Sequence, residues 1–139
     1  GIQLQVLSSL GIKKENIFST DINKKTVKHC KGLGFNCIQS NLFEKVPKNK
    51  KYDIIIFNPP YLPNDKFDKQ KDTSGGKKGN ETINRFLKQT KKHLSNKGKI
   101  FLLTSSFTPI LNLKDYNSRI SAEKSLFFEK LYILEITSK

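Results

Sequence analysis

The stretch YDIIIFNPPYLP, residues 52–63, decides the fold because it joins an apolar run to a rigid polar turn. Residues 54–57 are four successive apolar side chains, which is typical of a parallel strand covered on both faces. A single proline would already end such a strand by removing a hydrogen-bond donor from the ladder. The additional Asn58, second proline and Tyr61 therefore predict a turn that holds a ligand rather than a simple strand terminator.

This turn can present hydrogen-bond acceptors to a bound group. Pro59 and Pro60 have no N–H and a φ fixed at about −65°, so nearby carbonyl oxygens can point into a site. The side-chain oxygen of Asn58 supplies a second acceptor, and the ring of Tyr61 can pack on a planar group. Two converging acceptors would bind both protons of a conjugated –NH₂ group and hold its nitrogen lone pair toward an electrophile. The pattern favours catalysis by orientation and electrostatic preorganisation.

Helices and buried strands alternate on both sides of this stretch. Apolar spacing and glycine stops predict helices at residues 2–10, 23–34 and 80–94, the last with Ile83, Phe86, Leu87 and Leu94 on one stripe. Strands are predicted at residues 16–21, 35–41, 52–58 and 98–106, two antiparallel strands within 118–139, and a polar loop at 62–78. This order predicts one α/β domain over residues 1–139, with a mostly parallel sheet of doubly wound type.

Polar residues follow three of the predicted strands. In such sheets ligands bind beyond the carboxyl ends of the strands, where Asp21, Asn41 and Asn58 are expected. Asp21 lies about 20 residues after Gly1, the separation between a glycine-rich nucleotide loop and the acid that binds ribose hydroxyls. A helix N-cap is an equally good interpretation of Asp21.

The composition leaves two interpretations of the surface open. The net charge is +14, and all but Arg85 and Arg119 of the 26 basic residues are lysines spread along the chain. They form either a solvated surface or a surface for an acidic partner. Two cysteines and two histidines show no metal-ligand spacing, so we expect no metal and reduced thiols in a cytoplasmic protein. No apolar run reaches about 18 residues, so no membrane span is expected.

The motifs together resemble one enzyme family. NPPY after YDIIIF resembles motif IV of S-adenosylmethionine-dependent class I (Rossmann-like) methyltransferases that modify planar amino groups. Residues 74–87, SGGKKGNETINRFL, look like the GG-x-x-G-x-E-x-x-x-R-F segment of the archaeal and eukaryotic HemK-like branch, and residues 123–136, EKSLFFEKLYILEI, are similar to that branch. The resemblance implies methylation of the glutamine amide in the GGQ motif of a class-1 translation release factor.

The resemblance also implies residue roles. Asn58 and the Pro59 carbonyl would hold the target amide, and the catalytic and substrate-binding set would comprise Asn58, Pro59, Pro60, Tyr61, Gly75 and Gly76. The set for the methyl donor S-adenosylmethionine would comprise Gly1, Asp21, Ile22, Asn41, Leu42 and Asn58. Gly79 would help to shape the loop over the site, with Glu81 either anchoring that loop or serving as a first-turn acid of a helix.

Two departures from the family pattern lead to further expectations. The acidic residue and G-x-G-S-G donor loop are absent, so we expect that the chain lacks the first strand and glycine loop, roughly 40–60 residues before Gly1, because buried strand groups would otherwise go unpaired. The strand near Phe35–Gln39 should lie at a sheet edge. In the resembled branch a small zinc-binding activator subunit pairs along that edge; nearby lysines could shield it instead.

Two other functions remain open. An N6-adenine or N2-guanine methyltransferase on RNA or DNA would account for the +14 charge, although no target-recognition module is evident. A non-catalytic scaffold that retains the fold would account for the absent donor loop, although the intact NPPY argues against it.

Overall fold

The computed structural model describes residues 1–59 and 79–139, and the chain forms two compact units, Gly1–Pro47 and Lys48–Lys139. Pro60, Tyr61, Gly75 and Gly76 lie outside the described residues. In the part of the chain that is described, no helix combines the length and the apolar character that a membrane span requires.

The N-terminal unit is built around two parallel strands and a crossover helix. Its elements are α1 (Ile2–Ser9), a 3₁₀ turn (Lys14–Asn16), β1 (Phe18–Asp21), α2 (Lys24–Gly32) and β2 (Asn36–Gln39). β1 and β2 pair in parallel, from Phe18 opposite Asn36 to Asp21 opposite Gln39. Parallel strands need such a crossover because a tight hairpin cannot join them. The predicted helices and strands of this unit are confirmed.

A small apolar core holds the unit together. Leu4 from α1, Val27 and Cys30 from α2, and Cys37 from β2 are buried together, with Ile17 and Phe35 completing the cluster. Both cysteines are free thiols, and burial raises the pKa of the Cys37 thiol. Each helix is followed within two residues by a glycine of positive φ, Gly11 (+92°) after α1 and Gly34 (+82°) after α2. Residues with a Cβ avoid this backbone conformation.

The C-terminal unit is a four-stranded mixed sheet with one described helix. Its elements are β3 (Tyr52–Phe57), α3 (Glu81–Thr90), β4 (Leu94–Ser105), β5 (Tyr116–Ser125) and β6 (Lys130–Ser138). The strand order is β3-β4-β6-β5, with β3 parallel to β4 and β6 antiparallel to both β4 and β5. The carboxyl ends of β3, β4 and β5 therefore lie at the same edge. The predicted pair of C-terminal antiparallel strands is confirmed.

Helix α3 is shorter than predicted. It buries Ile83, Phe86 and Leu87 and ends at Thr90, whereas Leu94 begins β4 and pairs with Tyr52. Leu94 is buried, as the helical stripe required, but in a strand. The seven-residue separation from Leu87 fits two turns of a helix, so the periodicity alone could not reveal that strand pairing begins there.

The prediction that β3 is covered on both faces is wrong. Ile55 is buried and Phe57 stacks on Phe86 of α3, with ring centroids 4.3 Å apart, but Ile54 and Ile56 remain 56% and 41% exposed. Successive side chains of a strand point to opposite faces, and α3 covers only one of them. The other face carries Lys99, which lies opposite Ile54 in the sheet.

Ion pairs on that second face link the three strands β4, β6 and β5. Glu135 on β6 contacts Lys99 on β4 and Arg119 on β5, each at 2.9 Å. Hydrogen bonds from Lys99 and Arg119 lower the pKa of the Glu135 carboxyl below its ordinary value. This face therefore carries a charged network on β4, β6 and β5 beside the exposed apolar side chains of β3.

Candidate functional site

The carboxyl ends of β1 and β2 bring two of the predicted donor-site residues to one edge. Asp21 is the last residue of β1 and pairs with Gln39, the last residue of β2. The backbone N–H of Ser40 donates to the Asp21 carbonyl at 3.0 Å, which extends the pairing by one more residue. Asn41 follows directly. Parallel pairing thus places Asp21 and Asn41 where an α/β sheet binds ligands.

Asp21 forms a tight turn but does not cap the helix. Its Oδ1 accepts a hydrogen bond from the backbone N–H of Asn23 at 2.7 Å. The cap of α2 is Asn23, whose side-chain oxygen accepts from the Lys25 N–H at 2.8 Å. The N-cap interpretation of Asp21 is therefore wrong. Among the described residues only Oδ1 is engaged, so Oδ2 can accept hydrogen bonds from a ligand.

Ile22 follows Asp21 and is 54% exposed, so an apolar side chain stands beside the carboxylate. The Ile22 carbonyl accepts from Gln39 Nε2 at 3.2 Å, which ties the turn to the end of β2. This hydrogen bond holds the two strand ends in register beyond the ladder.

The turn after β2 has an unusual backbone. Leu42 has a φ of +55°, a left-handed conformation that costs a residue with a Cβ about 1–2 kcal/mol. Asn41 Nδ2 donates to Glu44 Oε1 at 3.1 Å, and the Lys45 N–H donates to Ser40 Oγ at 3.0 Å, so the turn is held on both sides. Strain of this kind persists where the surroundings enforce it and is concentrated at functional sites.

Gly1 lies elsewhere in the N-terminal unit. A Cβ built on it would be 3.4 Å from His29 Cδ2 and 3.7 Å from Leu33 Cδ1. His29 is in the last turns of α2, whereas Asp21 precedes the first turn, so the structure does not bring Gly1 to the Asp21 carboxylate. Its role at the donor site stays a prediction.

In the C-terminal unit, Asn58 and Pro59 directly follow β3. The side chain of Asn58 is exposed and Pro59 is buried. Stacking of Phe57 on the buried Phe86 fixes the end of the strand one residue before Asn58. The half-buried Phe57, stacked on the buried Phe86, thus anchors the residues that follow, and Asn58 is exposed to solvent. That Asp21 and Asn41 meet Asn58 at one edge stays a prediction.

The start of α3 is anchored to the connection between β4 and β5. Gly79, which is buried with a φ of +84°, precedes Asn80, whose Nδ2 donates to the Ile110 carbonyl at 2.8 Å. Asn84 Oδ1 accepts from the Asn112 N–H at 3.0 Å. Glu81 is the first residue of α3, as the first-turn interpretation required.

Sequence reasoning missed a polar turn at the end of β4. Thr104 and Ser105 are buried, the Ser105 N–H donates to Thr108 Oγ1 at 2.9 Å, and the Phe107 N–H donates to Ser105 Oγ at 3.0 Å. Because Phe57 pairs with Leu102, this turn and Asn58 leave the sheet at the same edge. The TSS run at the end of the predicted strand was the available signal.

Strand order, strand direction and polar strand ends together define an α/β fold of the class I methyltransferase type. The chain belongs to the methyltransferase small domain family, whose model matches residues 7–123. The predicted methyltransferase fold is thereby confirmed.

Three known proteins illustrate the similarity. A Methanocaldococcus jannaschii protein provisionally named a protein N5-glutamine methyltransferase is 35% identical over 141 residues, covering 89% of this chain and 70% of that protein. The release factor glutamine methyltransferase of Fusobacterium nucleatum is 38% identical over 64 residues, covering 41% of this chain and 18% of that enzyme. A chain of the E. cuniculi Mtq2–Trm112 complex, described as responsible for methylation of the termination factor eRF1, superposes with a TM-score of 0.70 at 24% identity, covering 89% and 73% of the two chains.

Proposed function

We propose that the protein is an S-adenosylmethionine-dependent N-methyltransferase that modifies the glutamine side-chain amide of the GGQ motif in a class-1 translation release factor. The observation that carries the proposal is the exposed Asn58 amide ahead of the buried Pro59 at the carboxyl end of a parallel strand, in a chain of the methyltransferase small domain family. The proposed substrate places the enzyme in the cytoplasm.

The residues after β3 would bind the target amide. Asn58 Oδ1 and the Pro59 carbonyl are acceptors that suit the two protons of an –NH₂ group. Accepting both protons directs the nitrogen lone pair away from the protein and toward the methyl group, so no strong base is needed before the bond forms. We assign Pro60, Tyr61, Gly75 and Gly76 to the same substrate-binding set.

When bound, the methyl donor would supply an electrophilic methyl group on a sulfonium. The N-terminal unit fits the nucleoside part of this group: Asp21 Oδ2 is an acceptor for ribose hydroxyls, and the carboxamide oxygen of Asn41 is an acceptor for an adenine amine. Leu42 and the exposed Ile22 offer apolar surface to a planar base. We assign Gly1 and Asn58 to the same donor set.

Glutamine in a release factor is the substrate best supported by the relatives. The Methanocaldococcus jannaschii protein and the Fusobacterium nucleatum enzyme are both named as glutamine methyltransferases, and the second name specifies release factors. Asn58 and Pro59 suit a side-chain amide because its nitrogen, like a base amine, is planar and conjugated.

A second candidate is methylation of an adenine or guanine amine in a nucleic acid. The observation that favours it is the net charge of +14. Neutralisation of phosphates would make the affinity fall steeply with salt, with a logarithmic slope of about −0.9 per phosphate contacted on duplex DNA. A shallow salt dependence of binding to duplex and single-stranded oligonucleotides, with no methyl incorporation, would exclude this candidate.

A small activator subunit could pair along β2. Among residues 1–59 and 79–139, β2 pairs only with β1, so its other side offers unpaired backbone groups near Phe35–Gln39. We propose a zinc-binding subunit as the partner. The Ser40 N–H donates to β1, and backbone groups alternate in direction along a strand, so the Gln39 N–H points to the open side of β2. Proline in place of Gln39 should therefore weaken binding of the subunit, because proline removes this backbone donor, and size-exclusion chromatography of the mixed proteins would show the loss.

Initial rates of methylation test the proposal at Asn58. Asn58→Ala should lower kcat about 10²- to 10³-fold, as the loss of one preorganised polar contact does in other active sites. Asn117→Ala, which truncates an exposed asparagine on β5, is the matched control and should leave the rate unchanged. Equal rates in the two variants would contradict the role of Asn58 in binding the target amide. If the wild-type protein binds S-adenosylmethionine but transfers methyl to no substrate, the non-catalytic scaffold is favoured instead.

A further inference from the structure

The hairpin between β5 and β6 ends in an exposed apolar tip. Leu126, Phe127 and Phe128 are 45%, 96% and 86% exposed. The two rings pack edge to face with centroids 5.4 Å apart, and the Leu126 N–H donates to the Glu129 carbonyl at 2.7 Å to close the turn. Consecutive exposed aromatic residues on a hydrogen-bonded turn are typical of a surface that binds another molecule, whereas ordinary solvent-exposed turns are polar.

Backbone hydrogen bonds fix this tip beside the end of β4. The Ser106 N–H donates to the Lys130 carbonyl at 2.8 Å, and the Lys130 N–H donates to Ser106 Oγ at 3.1 Å. Ser105 lies opposite Leu131 in the sheet. Phe107, which is 53% exposed, adjoins Ser106 and adds a further aromatic side chain to the same edge.

The tip also lies at the edge where Asn58 leaves the sheet. β4 separates β3 from β6, so these two strands lie roughly 10 Å apart across the sheet. Phe57 at the end of β3 is level with Leu102 and Leu134, and the start of β6 lies four residues beyond Leu134, about 13 Å farther along the strands. The start of β6 is therefore roughly 16 Å from the end of β3. An extended polypeptide covers that distance in about five residues. A segment bound at Asn58 would therefore reach the tip with a side chain about five to seven residues from the target.

We propose that the hairpin-tip patch, Phe107 with Leu126, Phe127 and Phe128, binds an apolar segment of the polypeptide that carries the target amide. The inference rests on the proposed function and adds the surface that recognises the substrate. A glutamine side chain offers little apolar area, so binding energy from a neighbouring segment would position it. Aromatic residues are the anchors that dominate protein interfaces.

The charges beside the tip are balanced. Lys124 and Lys130 are exposed on either side of it, and Glu123 and Glu129 adjoin these two lysines, so the tip carries no local excess of positive charge. The expected partner segment is therefore apolar without an acidic bias. Exposed phenylalanines would also suit a membrane, but the balanced charge does not favour an anionic surface, and the position at the same sheet edge as Asn58 favours a polypeptide substrate.

Binding of the release factor to tip variants tests the proposal. The full-length protein, saturated with S-adenosylhomocysteine, is titrated with a release factor from the same source by calorimetry. The double variant Phe127→Ser with Phe128→Ser should bind about 30-fold more weakly than wild type, the loss expected when an aromatic anchor of an interface is removed. Ile120→Ser is the matched control, since Ile120 is 57% exposed on the same hairpin but away from the tip, and it should bind like wild type. Thermal unfolding verifies that both variants fold.

The outcomes separate this proposal from the proposed function. Weaker binding by the tip variant alone supports the docking surface, whether or not the bound factor is methylated. Equal binding by all three proteins overturns the docking surface, and methylation of the factor in the same samples would leave the proposed function standing. Failure of wild type to bind the factor overturns the docking surface as a site for that substrate. Co-sedimentation of wild type, but not of the tip variant, with vesicles of phosphatidylcholine and phosphatidylglycerol, at unchanged factor affinity, identifies the tip as a membrane contact and overturns the proposal.

Discussion

Replacing Asp21 by asparagine removes one charge from the proposed donor site while keeping its local structure. Asp21 Oδ1 accepts from the Asn23 N–H at 2.7 Å, and the side-chain oxygen of an asparagine can make the same bond. The turn between β1 and α2 should therefore survive. What the variant loses is the charged acceptor that we assign to the ribose hydroxyls, because an NH₂ group takes the place of Oδ2.

The expected loss of donor affinity follows from the strength of a hydrogen bond to a charged group. Hydrogen bonds to charged groups contribute about 1.5–3 kcal/mol, so Asp21→Asn should raise the Kd for S-adenosylmethionine about 10- to 150-fold. The free energy of unfolding should change little, because the bond to Asn23 is retained. Asp21→Ala also removes that bond, and its stability should fall by a further 0.5–1.5 kcal/mol, about the contribution of one hydrogen bond.

Calorimetric titration with S-adenosylmethionine, combined with urea unfolding, measures both effects. Asp53→Asn is the matched control: it removes the same charge from an exposed carboxylate that accepts from Ser95 Oγ at 2.7 Å in the C-terminal unit. It should leave the Kd unchanged. If Asp21→Asn binds the donor as tightly as Asp53→Asn, Asp21 does not bind the ribose and the reasoning is refuted.

Two further predictions concern stability. Tyr116→Phe should lower the free energy of unfolding by about 1–3 kcal/mol in urea titrations, because the buried hydroxyl donates to the Leu87 carbonyl at 2.6 Å, and an unchanged midpoint would contradict this. Hydrogen bonds from Lys99 and Arg119 hold the pKa of the Glu135 carboxyl below its ordinary 4.5. The stabilisation that these contacts give the folded protein is therefore fully present above the ordinary pKa and is lost as the pH falls through the lowered one. Glu135→Gln should therefore flatten the acid loss of stability between about pH 5 and 3, and parallel curves would count against the ion pairs.

Glycines at helix ends and apolar runs made most of the helices and strands predictable from the sequence. Gly11 and Gly34 marked the ends of the helical segments because each sits at a positive φ. The apolar run before Asn58 predicted β3 correctly as a strand, but it could not reveal which faces are covered. Exposure of Ile54 and Ile56 depends on what packs against the sheet, and no local pattern encodes that.

The candidate site was predictable in its parts and not in its details. Polar residues at strand ends located Asp21 and Asn41, because parallel strands end at one edge. The sequence left open whether Asp21 caps the helix, since aspartate and asparagine are both good caps and Asn23 stands two residues later. The apolar tip at Phe127 and Phe128 read as part of a strand, because aromatic residues are typical of strands as well as of contact surfaces.

The most direct test of the central claim is to locate the transferred methyl group. The full-length protein, with and without the proposed zinc-binding subunit, is incubated with labelled S-adenosylmethionine and a release factor from the same source, and the factor is mapped by tandem mass spectrometry. The account predicts one methyl group on the glutamine of the GGQ motif, and none on a factor with that glutamine replaced by alanine. A factor that stays unlabelled despite measured donor binding, or label that appears on adenine or guanine amines instead, would contradict it.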